Sequence, residues 1–151
     1  MLLSSTPVRC TMNRPWLEHY PSGVPHEVNP EAYRSLGAML DESFRRNQDR
    51  PVSVCMERWM TYRELDEHSA ALGAWLQAQG LLPGDRVAVM LPNLPQFLVS
   101  MAAIVRAGFT VVNINPLYTA RELEHQLTDS GAKALIVLEN FASTLEQVID
   151  H

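Results

Sequence analysis

The 151-residue chain is 46% hydrophobic and 19% charged, with a formal net charge of −5. These values fit one globular domain able to bury roughly 70% of its unfolded surface. They exclude a nucleic-acid footprint, which needs clustered Lys and Arg to displace phosphate counterions; Arg45-Arg46 is the longest basic run. No stretch reaches the roughly 18–20 apolar residues of a membrane span, and Leu2-Leu3 is too short for a signal-peptide core. The expected location is the cytoplasm.

Cys10 and Cys55 form no metal or redox spacing and read as free thiols in a reducing compartment, Cys55 as a small core residue. The histidines, His19, His26, His68, His125 and His151, lack an i, i+4 pair, so no zinc site is expected.

Met12, followed by Asn13-Arg14-Pro15-Trp16, reads as an alternative start, making residues 1–13 an extension expected to be disordered. Residues 14–30 carry Pro15, Pro21, Pro25 and Pro30 without an apolar period, which predicts an extended arm. Its handles are Trp16, Leu17, Tyr20 and Val24, packed on its own domain or reaching a second subunit.

Residues 31–151 form the body. Tyr33, Leu36, Met39, Leu40 and Phe44 predict a helix over Glu31–Asn47, opened by Pro30 and closed by Pro51. Val52–Met56 and Trp59-Met60, separated by Glu57-Arg58, predict a hairpin. Thr61 with Glu64 is a capping box for a helix that stops at Gly80. Arg86–Leu91 is a continuous apolar run, as in a buried parallel strand. Asn93 is the expected cap of a helix over Leu94–Ala107, apolar on nearly every side and therefore sandwiched between layers. A strand at Phe109–Val112, the Asn113–Tyr118 loop, a helix capped by Thr119 and Glu122 and ended by Gly131, a strand at Ala134–Leu138 and a helix from Asn140 follow. Alternating strands and helices predict an α/β fold, a mostly parallel sheet covered by helices on both faces.

Chemistry is sparse. There is no GxGxxG and no GxxxxGK[ST], so nothing cradles a nucleotide. Ser69, Ser100 and Ser130 lack a nucleophile-elbow setting, and His125 reads as a packed or surface imidazole rather than a general base. Asp41-Glu42 and Asp66-Glu67 read as solvated faces. The Asn113-Ile114-Asn115-Pro116-Leu117-Tyr118 loop follows a strand's carboxyl end, where α/β sheets place ligands, but its Asn side chains equally suit bonds to the loop's own backbone.

Four stretches in order carry a resemblance: Trp16–Pro25, Met60–Leu65 (a TYxEL element), Gly84–Asn93, and Arg106–Ala132 with VNINPLYTARELEHQL at its centre. Together they resemble the acyl-adenylate-forming ligases, and among them the bacterial long-chain fatty acyl-CoA synthetases. The resemblance runs from Arg14 onward. It implies the first part of the large N-terminal domain of an adenylate-forming enzyme. The implied reaction joins a long-chain fatty acid to ATP as an acyl-adenylate, then passes the acyl group to coenzyme A, with magnesium in support.

That family's Thr/Ser/Gly-rich phosphate loop, its adenine- and ribose-binding residues and its C-terminal Lys match no position here. Accordingly no catalytic, cofactor-binding or metal residue is assigned. The expectation is the N-terminal part of a longer ligase, inactive alone and binding no ATP, coenzyme A or Mg. Family likeness further implies a homo-oligomer, with a dimer formed through the N-terminal region, and peripheral association with the inner face of a membrane. The competing expectations are a non-catalytic module that binds a full-length ligase, and an acyl-chain binding module.

Overall fold

The computed structural model describes residues 13–149. The expectations for residues 1–12, including Cys10 and the choice between Met1 and Met12, and for His151 lie outside the described residues. The chain divides between Ala32 and Tyr33 into two compact units.

The first unit is not uniformly extended. Pro15–His19 forms a 3-10 turn, favoured by a proline whose fixed φ suits a first helical position. Arg14 pairs with Glu27, and the His26 ring meets Tyr20 edge-on at 5.8 Å. Trp16, Tyr20 and Val24 stay exposed.

In the second unit α1 spans Leu36–Asn47. It starts five residues later than the sequence predicts, because the capping oxygen belongs to Ser35, whose Oγ accepts from the Ala38 N–H at 3.1 Å. Glu31 instead donates its N–H to Asn29 Oδ1 in a local turn. Strands β1 (Pro51–Cys55) and β2 (Arg58–Thr61) form the expected antiparallel hairpin, with Val54 opposite Trp59 and Cys55 opposite Arg58. Its two-residue turn puts Met56 at φ 47° and Glu57 at φ 64°, the sign a type I′ turn demands.

Both capping boxes are present. Thr61 opens α2 (Tyr62–Ala78) with Glu64, and Thr119 opens α4 (Ala120–Ser130) with Glu122. Gly131 ends α4 at φ 60°, ψ 36°, a left-handed conformation that costs a side-chain-bearing residue about 1–2 kcal/mol. Asn93, by contrast, is not a cap. Helix α3 runs Pro95–Arg106 and Leu94 occupies its cap position without a side-chain bond, since Pro95 supplies a first turn with one fewer N–H to satisfy.

Strands β3 (Arg86–Met90), β4 (Thr110–Asn113) and β5 (Ala134–Val137) form a parallel sheet in the order β4-β3-β5. A short 3-10 turn then leads into α5 (Ala142–Ile149). Side chains alternate across a strand, so β3 feeds two cores. Val87 and Val89 pack with Leu76, Ile104 and Phe109 on the α2–α3 face. Ala88 and Met90 pack with Leu123 and Val148 on the α4–α5 face. Four fully buried residues in a row explain why this strand reads as a continuous apolar run.

A third cluster joins Phe44, Met60, Leu65 and Ala102 beneath the hairpin. Helix α3 lies close to α2: a Cβ on Gly73 would stand 3.2 Å from the Ala103 carbonyl oxygen. Its expected sandwiching is partial, with Ala103 and Ile104 sealed and Leu98 still 37% exposed.

Candidate functional site

The Asn113–Tyr118 loop leaves the carboxyl end of β4 and enters α4. Asn115 uses its Oδ1 to accept the Leu117 N–H at 3.0 Å, and its carbonyl oxygen accepts the Tyr118 N–H at 3.1 Å. Gln126 Nε2 donates to the Asn113 carbonyl at 2.9 Å, tying the loop to α4. Ile114 is buried and Tyr118 packs on the same core. Asn115 thus serves the loop's own backbone, while Asn113 and Leu117 face solvent.

Beside this loop a shallow pocket of about 570 Å³ is lined by Thr119, Arg121, Glu122 and His125. His125 is exposed there, as a surface imidazole. The Glu122 carboxylate is committed to capping: Oε2 accepts from the Thr119 N–H at 2.9 Å and from Oγ1 at 2.8 Å. These bonds hold its carboxyl below the usual range, the backbone bond foremost. Glu64 is lowered for the same reason by Thr61.

A second cleft, of about 600 Å³, opens between the hairpin and the first turns of α2 and α3. Met56, Trp59, Met60, Leu94, Pro95 and Val99 give it an apolar wall, and Cys55, Arg58, Glu64, His68 and Gln96 complete the lining. Cys55 is half-buried rather than a core residue.

The serines are structural. Ser100 Oγ donates to the Gln96 carbonyl at 2.8 Å and Ser130 Oγ to that of Leu127 at 3.3 Å. Ser69 is fully buried, and its Oγ accepts from Arg106 Nη1 at 2.6 Å. Among the described residues no group of three His, Cys, Asp or Glu side chains is placed to hold a metal ion.

Two carboxylates read as solvated faces stay partly exposed but are also ion-paired. Arg106, in the last turn of α3, reaches Asp41 Oδ1 of α1 at 2.9 Å and Asp66 Oδ1 of α2 at 2.6 Å. Its guanidinium lies 5.0 Å from the Phe44 ring centroid. The only signal in sequence was a lone cation closing an apolar helix, a group that must find partners when the helix is buried. The arrangement locks three helices together and holds no reactive group.

The site residues therefore provide backbone scaffolding at the carboxyl ends of a parallel sheet, without an assembled set of nucleophile, base or phosphate cradle among the described residues. The family model "AMP-binding enzyme" matches residues 40–151. The chain is 54% identical over 140 residues to a long-chain-fatty-acid–CoA ligase of Escherichia coli O6:H1, covering 92% of this chain and 25% of that protein. It thus spans about a quarter of the length of the curated relatives it matches. Among solved structures, the N-terminal subdomain of Klebsiella oxytoca NpsA in complex with anthranilyl-AMSN superimposes with a TM-score of 0.65 at 33% identity, over 68% of this chain and 27% of that one. A benzoate CoA ligase from Burkholderia xenovorans LB400 shares the fold, with a TM-score of 0.74 at 21% identity over 78% and 24% of the two chains.

Proposed function

Because this chain belongs to the AMP-binding enzyme family, we propose that it forms part of the N-terminal domain of a ligase that activates long-chain fatty acids with ATP and delivers the acyl group to coenzyme A. The observation that carries this reading is the 54% identity over 140 residues to a long-chain-fatty-acid–CoA ligase. In such a reaction the fatty acid carboxylate attacks the α-phosphate and pyrophosphate leaves. The coenzyme A thiol then displaces AMP to form the thioester.

The described residues do not fit a magnesium site, since no carboxylate cluster is gathered among them. The role left to this chain is architectural: a two-faced parallel sheet that presents its carboxyl-end loops to the rest of the catalytic domain. By itself the chain releases no AMP, because no phosphate-binding loop or catalytic base is assembled among its described residues.

A chimera tests this reading. The chain replaces the matched 140 residues of the Escherichia coli ligase, and palmitoyl-CoA formation is followed with ATP, Mg²⁺ and coenzyme A. The expected result is an active chimera and no palmitate-dependent AMP from the isolated chain. A folded but inactive chimera refutes the assignment.

A further inference from the structure

We propose that a cavity beside the carboxyl end of α1 is a binding site for a small, soluble phosphomonoester. The phosphate sits between the guanidinium groups of Arg46 and Arg50, and the carbon part lies against Tyr33, Met39 and Leu40. The cavity holds about 400 Å³. That volume falls in the range of small-ligand sites, roughly 300–1,000 Å³. Both arginines line it, and neither joins an ion pair among the described residues. Glu42, one turn before Arg46, is the single carboxylate of the lining and bonds to neither of them.

The helix dipole favours a cation at a carboxyl end, which accounts for Arg46 in the last turn of α1. Arg50 lies beyond that helix and is held by other means. Its N–H donates to the Asn47 carbonyl at 2.8 Å, and its own carbonyl accepts the Tyr62 N–H at 3.0 Å. The Asn47 side chain then fixes the guanidinium: Nδ2 donates to the Ser43 carbonyl at 2.9 Å, and Oδ1 accepts from Arg50 Nη1 at 3.3 Å. With both its polar atoms committed, Asn47 is a positioning residue and leaves the remaining Arg50 donors for a ligand. Two like charges around one hollow repel weakly through solvent, and an anion between them removes that repulsion.

Charge and donor count select the anion. A phosphomonoester carries about −1.5 to −2 at pH 7 and presents three acceptor oxygens. Two guanidinium forks match that charge and bind phosphate oxygens in pairs. The hydroxyls of Tyr33 and Ser43 line the same cavity, have no hydrogen-bond partner among the described residues, and serve the other oxygens. A carboxylate, with one charge, leaves one guanidinium unmatched. Half-buried Met39 and Leu40, with the Tyr33 ring, form an apolar wall that inorganic phosphate does not use.

Titration calorimetry on the 151-residue chain, with phenyl phosphate, inorganic phosphate and benzoate as probes, provides the test. Phenyl phosphate should saturate one site and bind roughly tenfold tighter than either of the others. Arg46→Gln and Arg50→Gln should each weaken it about tenfold or more, the loss of a charge-assisted hydrogen bond. Glu42→Gln should tighten it about threefold by removing the one opposing charge, a gain that misfolding cannot imitate. Arg45→Gln is the control, since Arg45 bonds through Nε to the Asp41 carbonyl at 3.3 Å and does not line the cavity; it should change nothing. No heat at millimolar phenyl phosphate, or affinity unchanged in Arg46→Gln and Arg50→Gln, overturns the proposal. So does an equal loss in Arg45→Gln, which would mean attraction to general surface charge. Benzoate binding as tightly as phenyl phosphate overturns the assignment to a phosphate. Co-sedimentation with phosphatidylcholine vesicles carrying phosphatidic acid, lost in Arg46→Gln, overturns the assignment to a soluble ligand. The ligase reading stands or falls separately, on the chimera.

Discussion

Arg106 concentrates more interactions than any other described side chain. One guanidinium meets two carboxylates, a buried serine and an aromatic face, two of these partners on α1 and two on α2. Its fork geometry is what allows several partners at fixed angles, and a lysine ammonium does not reproduce it. Arg106→Leu should cost about 2 kcal/mol. That is less than the roughly 3–5 kcal/mol of a fully buried pair, because Asp41 and Asp66 are 54% and 43% exposed and recover solvent. Arg106→Lys should fall between the two, and urea unfolding of the three proteins gives the ranking. A lysine variant as stable as wild type would show that charge alone, not the fork, ties α1 to α2 and α3. This node was illegible in the sequence because Asp41, Asp66 and Arg106 lie far apart along the chain. Adjacent acidic pairs look like solvated faces until helix packing brings a cation to one of them.

At the scale of elements, local chemistry was the most legible. Both capping boxes, the Gly131 cap, the hairpin and the three parallel strands follow from short-range rules that tertiary structure did not override. Misreadings arose where two local signals competed. Pro30 lost to Ser35 as the start of α1, and Asn93 lost to the Leu94-Pro95 step as the start of α3. The arm's prolines suggested extension, yet Pro15 opens a 3-10 turn. The candidate loop was placed correctly, but which of its asparagines would serve the backbone depended on the turn's geometry.

The capping boxes also set a pH response. Thr61 and Thr119 hold the Glu64 and Glu122 carboxyls below their ordinary value of 4.5 through hydrogen bonds to the charged form. A depressed folded pKa means the unfolded chain binds protons first. The contribution is therefore complete above pH 4.5 and is lost as pH falls through the lowered folded values. Unfolding midpoints of wild type and the Glu64→Gln/Glu122→Gln double variant should diverge above pH 4.5 and converge below it. A gap that stays constant with pH would remove the carboxylates as its cause.

At the scale of the whole molecule, the second unit's two sheet-facing cores are closed while much of its outer surface is not. Val54, Met56, Trp59, Trp75, Leu82, Leu117 and Ile149 are all more than half exposed. Scattered apolar side chains are ordinary on a protein surface, but large ones grouped on a hairpin beside a cleft are not. The net charge of −5 offers modest repulsion between copies. Local burial of apolar area is therefore expected to outweigh it once the chains are concentrated. Light scattering on the isolated chain should show apparent mass rising with concentration from the micromolar to the millimolar range. Because the attraction is hydrophobic, added sulfate should strengthen it, while the screening of surface charge by sodium chloride acts in the same direction and more weakly. Trp59→Lys should reduce the rise, since it puts a charge at the centre of the patch. A monodisperse monomer throughout would mean that these side chains are too dispersed to drive association.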